Sequence, residues 1–275
     1  ENRIITSDKF LYDKILNTIE AEGNVKIEDE INKYIIFSDQ AIYQKNNEKI
    51  STTGNSKAID QENRIITSDK FIYDKILNTI EAEGNAIVEN TKENYQLKSE
   101  KLKYYKKEKK IITVGNSKAN IYSKYNITSK DVTFLLEERK LSSKQKSTIK
   151  DGNSQIYYLD EFTLFTDKKI LKGKNILTIT NYELPNSDKF YFSEGIFNLD
   201  NKKFVAKDTK INVHKNIFGV PANDPRIYGI SSSGDGNLTI INKGIFTSCQ
   251  KRDGCAPWSI KSEKIEHNKE KKQIS

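Results

Sequence analysis

The sequence predicts an all-β fold, elongated and built from repeats of about 31 residues. Residues 2–24 recur at 63–85, and Gly-Asn pairs begin at residues 23, 54, 84 and 115. Around each pair, small or apolar residues alternate with polar ones, which is the periodicity of strands with one buried face. A helix would spread those residues around its circumference, so it is excluded. A hydrophobic share of 35% and a charged share of 31% favour a thin, extended core.

The two long copies differ only at position 11, where Leu11 replaces the isoleucine of position 72. A second marker keeps step with Gly-Asn: a serine followed by an acidic residue, beginning at positions 7, 38, 68 and 99. Each marker precedes an alternating apolar stretch that ends in tyrosine, as in "SDKFIY". The sequence therefore contains four repeat units within residues 1–122.

The alternation assigns one parity of each repeat to the inner face. The inward residues that we expect to contact an apolar ligand are Ile19, Ala21, Val25, Ile27, Ile50, Ile80, Ala82, Ala86, Val88 and Ile111. On the same face, alanine, glycine, serine and threonine alternate with isoleucine and valine, and these small residues indicate either close backbone approach or an open apolar space between sheets. They are equally consistent with a thin core in which Gly-Asn marks a β-bulge.

The second half keeps the alternation but loses the strict period. Strands are predicted within residues 155–167, 175–184, 189–200, 204–214 and 236–249, separated by turns rich in Lys, Gly, Asn and Asp. The stretch 220–237 is predicted to be a long loop. Because strands are predicted on both sides of it, it lies inside the fold and not at a domain boundary.

The supply of catalytic groups is poor. His214 and His267 are the only histidines, and both are expected to be ordinary surface residues. No zinc, calcium or phosphate-loop spacing occurs, so we expect no catalytic residues, no metal and no cofactor. The net charge is +8, but the basic residues are almost all lysines, so nucleic-acid binding is not expected.

Two cysteines, Cys249 and Cys255, are the only ones in the chain. Without a nearby histidine they make a poor metal site, which leaves a disulfide or a pair of free thiols.

The repeat "SDKFIYDKILNTIEAEGNAIV" resembles the OstA-like repeat of the lipopolysaccharide transport proteins. The tail "FTSC…CAPWSIKSEKIEHNKEKKQI" is similar to the segment that joins the periplasmic domain to the barrel in LptD, the family of lipopolysaccharide-assembly outer-membrane proteins. The resemblance implies an antiparallel β-jellyroll, or V-shaped β-taco, over residues 1–245. Residues 246–275 would be a cysteine-containing connector towards a C-terminal β-barrel that the sequence lacks.

The resemblance also implies a function: the jellyroll interior carries the acyl chains of lipopolysaccharide towards the barrel, at the periplasmic face of the outer membrane. A soluble LptA-like bridge protein would add a strand to the N-terminal edge, and an LptE-like lipoprotein plug would bind through the barrel. Cys249 and Cys255 would form disulfides with barrel cysteines or with each other. Two alternatives remain: a free LptA-like periplasmic bridge protein, and a structural β-solenoid or adhesin.

Overall fold

The computed structural model describes residues 3–152, 154–184, 187–214, 220, 223–250 and 256–275. It divides into two compact units, Glu1–Arg139 and Lys140–Ser275, which we call unit 1 and unit 2. Within the described residues all regular elements are β-strands, and none of the described segments is a helix that could span a membrane.

Unit 1 is antiparallel, and from β3 to β9 each strand pairs with the next along the chain. At its two ends short strands act in pairs: β1 and β2 together pair with β3, and β10 and β11 together pair with β9. Its strands are β1 (Arg3–Thr6), β2 (Lys9–Asp13), β3 (Thr18–Asp29), β4 (Tyr34–Gln44), β5 (Lys49–Asp60), β6 (Ile65–Asp74), β7 (Thr79–Asn90), β8 (Tyr95–Tyr105), β9 (Lys110–Ile121), β10 (Tyr125–Lys130) and β11 (Thr133–Leu135).

Unit 2 is also antiparallel. From β16 onward each strand pairs with the next, while β14 and β15 share β16 as their neighbour. Its strands are β12 (Lys140–Ser143), β13 (Ser147–Lys150), β14 (Gln155–Leu159), β15 (Glu161–Phe165), β16 (Ile170–Thr180), β17 (Lys189–Asn198), β18 (Phe204–Asn212), β19 (Arg226–Gly234), β20 (Leu238–Thr247), β21 (Ile260–Asn268) and β22 (Gln273–Ile274).

The predicted loop at 220–237 is wrong over 226–234, which form β19. Its "SSSG" ending has low strand propensity, but β18 and β20 flank it and supply both rows of hydrogen bonds. The predicted connector at 246–275 includes β21, which pairs along β20 within unit 2. Whether the chain divides functionally at 245/246 stays a prediction.

The Gly-Asn pairs of the repeats are β-bulges, which confirms that interpretation of the sequence. Pairing of β3 with β4 shifts between Glu22 and Val25, and equivalent shifts occur at the other pairs. At Gly84-Asn85 both residues have positive φ, 78° and 49°. Only a residue without a Cβ adopts the first of these angles at little cost.

The bulges fold the sheet of unit 1 onto itself. Tyr34 pairs with Asp60 and Tyr73 pairs with Ile50, so the two tyrosines flank opposite ends of β5. Ten residues of flat strand would separate them by roughly 33 Å. Their ring centroids are 5.2 Å apart. The strand halves on the Tyr34 side therefore form a first wall and those on the Tyr73 side a second wall, with their inner faces in contact.

This arrangement confirms the predicted all-β, antiparallel β-taco class. Nine of the ten predicted inward residues are at most 5% exposed, and Ile19, in the strand nearest the N-terminal edge, is partly exposed. Their contact with a lipid stays a prediction.

Candidate functional site

The two sequence markers of the repeat meet at each fold line. An asparagine amide after the bulge glycine donates to the aspartate of the preceding marker, 16 residues earlier. The pairs are Asn24–Asp8 at 2.9 Å, Asn55–Asp39 at 2.9 Å and Asn85–Asp69 at 3.1 Å. In the fourth repeat Glu100 replaces the aspartate, and the Gly115 N–H donates to Asp131 Oδ1 instead, at 2.8 Å. The spacing of the two markers thus encodes the fold line.

An equivalent asparagine–aspartate hydrogen bond occurs in unit 2, although the sequence of unit 2 lacks the strict period. Asn175 Nδ2 donates to Asp160 Oδ2 at 2.9 Å, and Asn175 again has a positive φ. On the neighbouring strand β17, the ring centroids of Phe192 and Phe197 are 5.7 Å apart, although five extended residues would separate them by roughly 16 Å. Unit 2 is therefore also folded into two facing walls.

A cavity of about 450 Å³ lies between the two walls of unit 2. This volume falls within the roughly 300–1,000 Å³ of pockets that bind small organic ligands. Aromatic side chains form its apolar wall, and charged side chains stand at its rim. The aromatic wall consists of Tyr157, Phe190, Phe192, Phe197 and Phe204, and the charged rim of Lys202, Asp235, Lys269 and Glu270.

Sequence analysis placed these aromatics on strands but did not assign them to a site. Their signal is the density of aromatics in "KFYFSEGIF", residues 189–197, which the search for an inward parity did not use. The strand folds between Phe192 and Phe197, so a strict period of two does not describe which side chains face inward.

The inner faces of unit 1, by contrast, pack directly on each other and are closed at the outer ends of the walls. Tyr73, on the second wall, donates to Asp29 Oδ2 of the first wall at 3.0 Å. Burial raises the pKa of Asp29, but hydrogen bonds from Asn32, together with those from Tyr73 and the charge of Arg3, hold it below its usual range.

Arg64 makes the second closure. It is 1% exposed, it donates to Tyr95 Oη at 2.7 Å, and it bonds both Asp60 and Tyr104. Tyr104 belongs to the second wall and the other three to the first, so the guanidinium ties the walls together. Burial raises the pKa of Tyr104 well above its usual range and that of Tyr95 to about 12, so both phenols stay protonated.

Ion pairs between turns also join the two walls of unit 1, and we call these ion pairs the rim bridges. They are Arg3–Glu48 at 3.5 Å, Lys109–Glu62 at 3.7 Å and Arg139–Glu93 at 2.8 Å, each joining the outer end of one wall to the other. Ile50, Ile80 and Ile111 are completely buried behind them. A lipid can contact these predicted site residues only if the two walls separate.

Two further predictions concern single residues. His267 was expected at the surface, and this is wrong: it is fully buried on β21, because β20 and β22 flank it. Burial lowers its pKa, so the ring is neutral at pH 7. Cys249 is partly buried, whereas Cys255 lies outside the described residues, so their pairing stays a prediction. Among the side chains that the structure describes, no cluster of three or more His, Cys, Asp or Glu is arranged to hold a metal.

The N-terminal edge of unit 1 exposes apolar side chains that the second copy of the same sequence buries. Phe10 is 52% exposed and Tyr12 53%, whereas the equivalent Phe71 and Tyr73 are 1% and 0% exposed. An apolar groove of about 470 Å³ runs beside Phe10 and Tyr12. In the second copy β5 and the opposite wall cover these positions. At β2 the described strands provide only β3 as a partner, and the Lys45 ammonium lies 5.6 Å from the centroid of the Tyr12 ring.

No known protein family matches the chain, and neither does any curated protein. Among solved structures, the chain is similar to LptH from Pseudomonas aeruginosa, described as the LptA-homologous periplasmic component of the conserved lipopolysaccharide transport device. The identity is 13% and the TM-score 0.38, and the similarity covers 42% of this chain and 82% of LptH. A similarity this weak carries no argument about function, so the proposals below rest on the chain's own residues.

Proposed function

We propose that the chain is a periplasmic carrier of lipopolysaccharide whose folded sheets hold the lipid's acyl chains. The observation that supports this most directly is the aromatic cavity between the walls of unit 2. An acyl chain in water exposes CH₂ groups at a cost of about 0.8 kcal/mol each, so a carrier must offer apolar surface that the lipid can reach. In unit 2 that surface begins at Phe204, which is partly exposed and lines the cavity, while the other four aromatics of the wall are at most 4% exposed behind it. The OstA-like markers at the fold lines agree with this role.

Lipid binding by the purified full chain tests the proposal, with two neighbouring substitutions as a matched pair. Phe204 lines the cavity and is partly exposed, whereas Val205 points outward and is 55% exposed. We expect Phe204→Glu to weaken binding of fluorescent lipopolysaccharide at least tenfold, because it places a carboxylate where an acyl chain would lie. Val205→Glu leaves binding unchanged. Equal effects of the two substitutions would contradict a site between the walls.

We also propose that the edge formed by β1 and β2 receives a strand from an LptA-like bridge protein. The support is internal: the second copy, which differs in this strand only by Ile72 in place of Leu11, is buried where β5 lies beside it. The expected result is that Phe10→Glu abolishes co-purification with such a partner. Lys14→Glu, in the adjacent turn, has no effect. If Phe10→Glu also leaves binding intact, this edge is not the interface.

The finer assignment is to LptD at the periplasmic face of the outer membrane, with a β-barrel, an LptE-like plug and disulfides from Cys249 and Cys255. Its support is the resemblance of the tail at 246–275. Non-reducing peptide mapping of the full-length protein tests it. Two free thiols would favour the free bridge protein, and absence of lipid binding altogether would favour the structural solenoid.

A further inference from the structure

The charged rim of the unit 2 cavity carries two lysines, Lys202 and Lys269. Lys269 is partly buried, and its ammonium lies 4.6 Å from the centroid of the Phe190 ring. Lys202 is exposed and lines the same cavity, with its aliphatic stem close to Gly236. Within the described residues no carboxylate forms an ion pair with either lysine.

The nearby carboxylates are already engaged or exposed. Asp235 Oδ1 accepts the backbone N–H groups of Asn237 and Leu238, at 2.9 and 3.0 Å. Asp188 Oδ1 accepts the backbone N–H of His214 at 3.0 Å, and Glu270 is exposed to solvent. They therefore neutralise the two ammonium groups only at a distance.

The electrostatics at Lys269 are compatible with binding of an anion beside it. Burial lowers the pKa of Lys269, Asp188 and Asp235 oppose this, and the charge of Lys202 adds to it. Burial is the largest of these effects, and the effect of Lys202 indicates that the second cation lies near Lys269. A bound anion between them would restore the pairing that a partly buried charge requires.

We propose that this rim is a subsite for a phosphate monoester on an amphiphile. The apolar chain lies on the Phe190, Phe192 and Phe197 surface, and the phosphate lies between Lys269 and Lys202. A phosphate monoester carries a charge of about −1.5 to −2 at pH 7, which matches two lysines better than a carboxylate does. The proposal rests on the proposed carrier function and adds which chemical group of the ligand meets unit 2, and where.

Calorimetric titration of the full chain with three probes, each below its micellar concentration, tests the subsite. Decyl phosphate has both the chain and the anion, decyl maltoside only the chain, and inorganic phosphate only the anion. We expect decyl phosphate to bind at least about tenfold more tightly than either of the others, since hydrogen bonds to charged groups are the stronger kind. Lys269→Met and Lys202→Met should each remove most of that advantage and leave decyl maltoside within about twofold of its original affinity.

Lys207→Met is the control, because Lys207 is exposed on the outer face and pairs with Glu194 at 3.3 Å. An equal loss of decyl phosphate affinity in this variant would overturn the subsite. So would inorganic phosphate that binds as tightly as decyl phosphate. Equal binding of the two amphiphiles removes the subsite but leaves the carrier function intact. Failure of both amphiphiles to bind contradicts the carrier function itself.

Discussion

The fold lines of unit 1 can be tested with two glycines that share a backbone conformation but not a neighbourhood. Gly84 and Gly115 have φ of +78° and +77°. A Cβ added at Gly84 would lie 2.9 Å from Asp69 Cβ, whereas one added at Gly115 would meet nothing within 4 Å. Alanine at either position incurs about 1–2 kcal/mol of left-handed backbone strain. At Gly84 alone it also displaces Asp69 and breaks the bond from Asn85, at about 1 kcal/mol more.

We therefore expect Gly84→Ala to destabilise unit 1 by about 2–3 kcal/mol and Gly115→Ala by about 1–2 kcal/mol. Hydrogen exchange of β7 and β9 amides in the full chain reports the local free energy of opening for each variant. In an Asp69→Gly background the extra cost of Gly84→Ala should vanish, because that substitution removes the Asp69 Cβ as well as the carboxylate, so the clash and the bond are both gone. Equal costs in the original background would refute the argument that the two markers act as one unit.

Three further predictions concern the closure and the edge of unit 1. Arg64→Ala should cost about 3–5 kcal/mol, because it strands a buried carboxylate, whereas Arg139→Ala at a partly exposed bridge should cost about 0–1 kcal/mol. Denaturant titration compares them, and similar losses would contradict the burial argument. Asp29, with its lowered pKa, contributes stability that is present above about pH 4 and is lost as pH falls through the folded value. In thermal scans at decreasing pH, Asp29→Asn should lack the loss of stability that protonation of Asp29 causes in the original protein. Phe71→Ala should cost about 3–5 kcal/mol and Phe10→Ala less than about 1, which calorimetry would detect.

Sequence periodicity predicted unit 1 well because its burial follows the alternation of strands, repeat after repeat. The Gly-Asn spacing predicts the positions of the bulges, as one of the two interpretations that the sequence allows, but not that the sheet folds there. What periodicity could not supply was the partner of each asparagine, since the pairing of Asn85 with Asp69 depends on register between two strands. Nor could it predict closure of the walls, which arises from side chains such as Arg64 that meet residues 31 and 40 positions away.

Unit 2 was harder to predict because its strands also fold into two walls, but without the regular spacing of markers that unit 1 has. The hydrogen bond between Asn175 and Asp160 is the counterpart of those in the repeats of unit 1, although the sequence around it lacks the regular spacing of the markers. β19 forms because two neighbouring strands provide hydrogen bonds, despite its unfavourable composition. His267 is buried for a similar reason, since the charged tail around it pairs into the sheet.

The central claim is that lipopolysaccharide lies between the walls of unit 2 in the cell. Site-specific photo-crosslinking in cells tests it, with the probe at Phe192 on the cavity wall and at the adjacent, outward Tyr191 as control. Both positions are natural aromatics, so the probe replaces an aromatic ring at each. We expect a lipopolysaccharide adduct at Phe192 and none at Tyr191. Equal labelling, or labelling at Tyr191 alone, would contradict the claim.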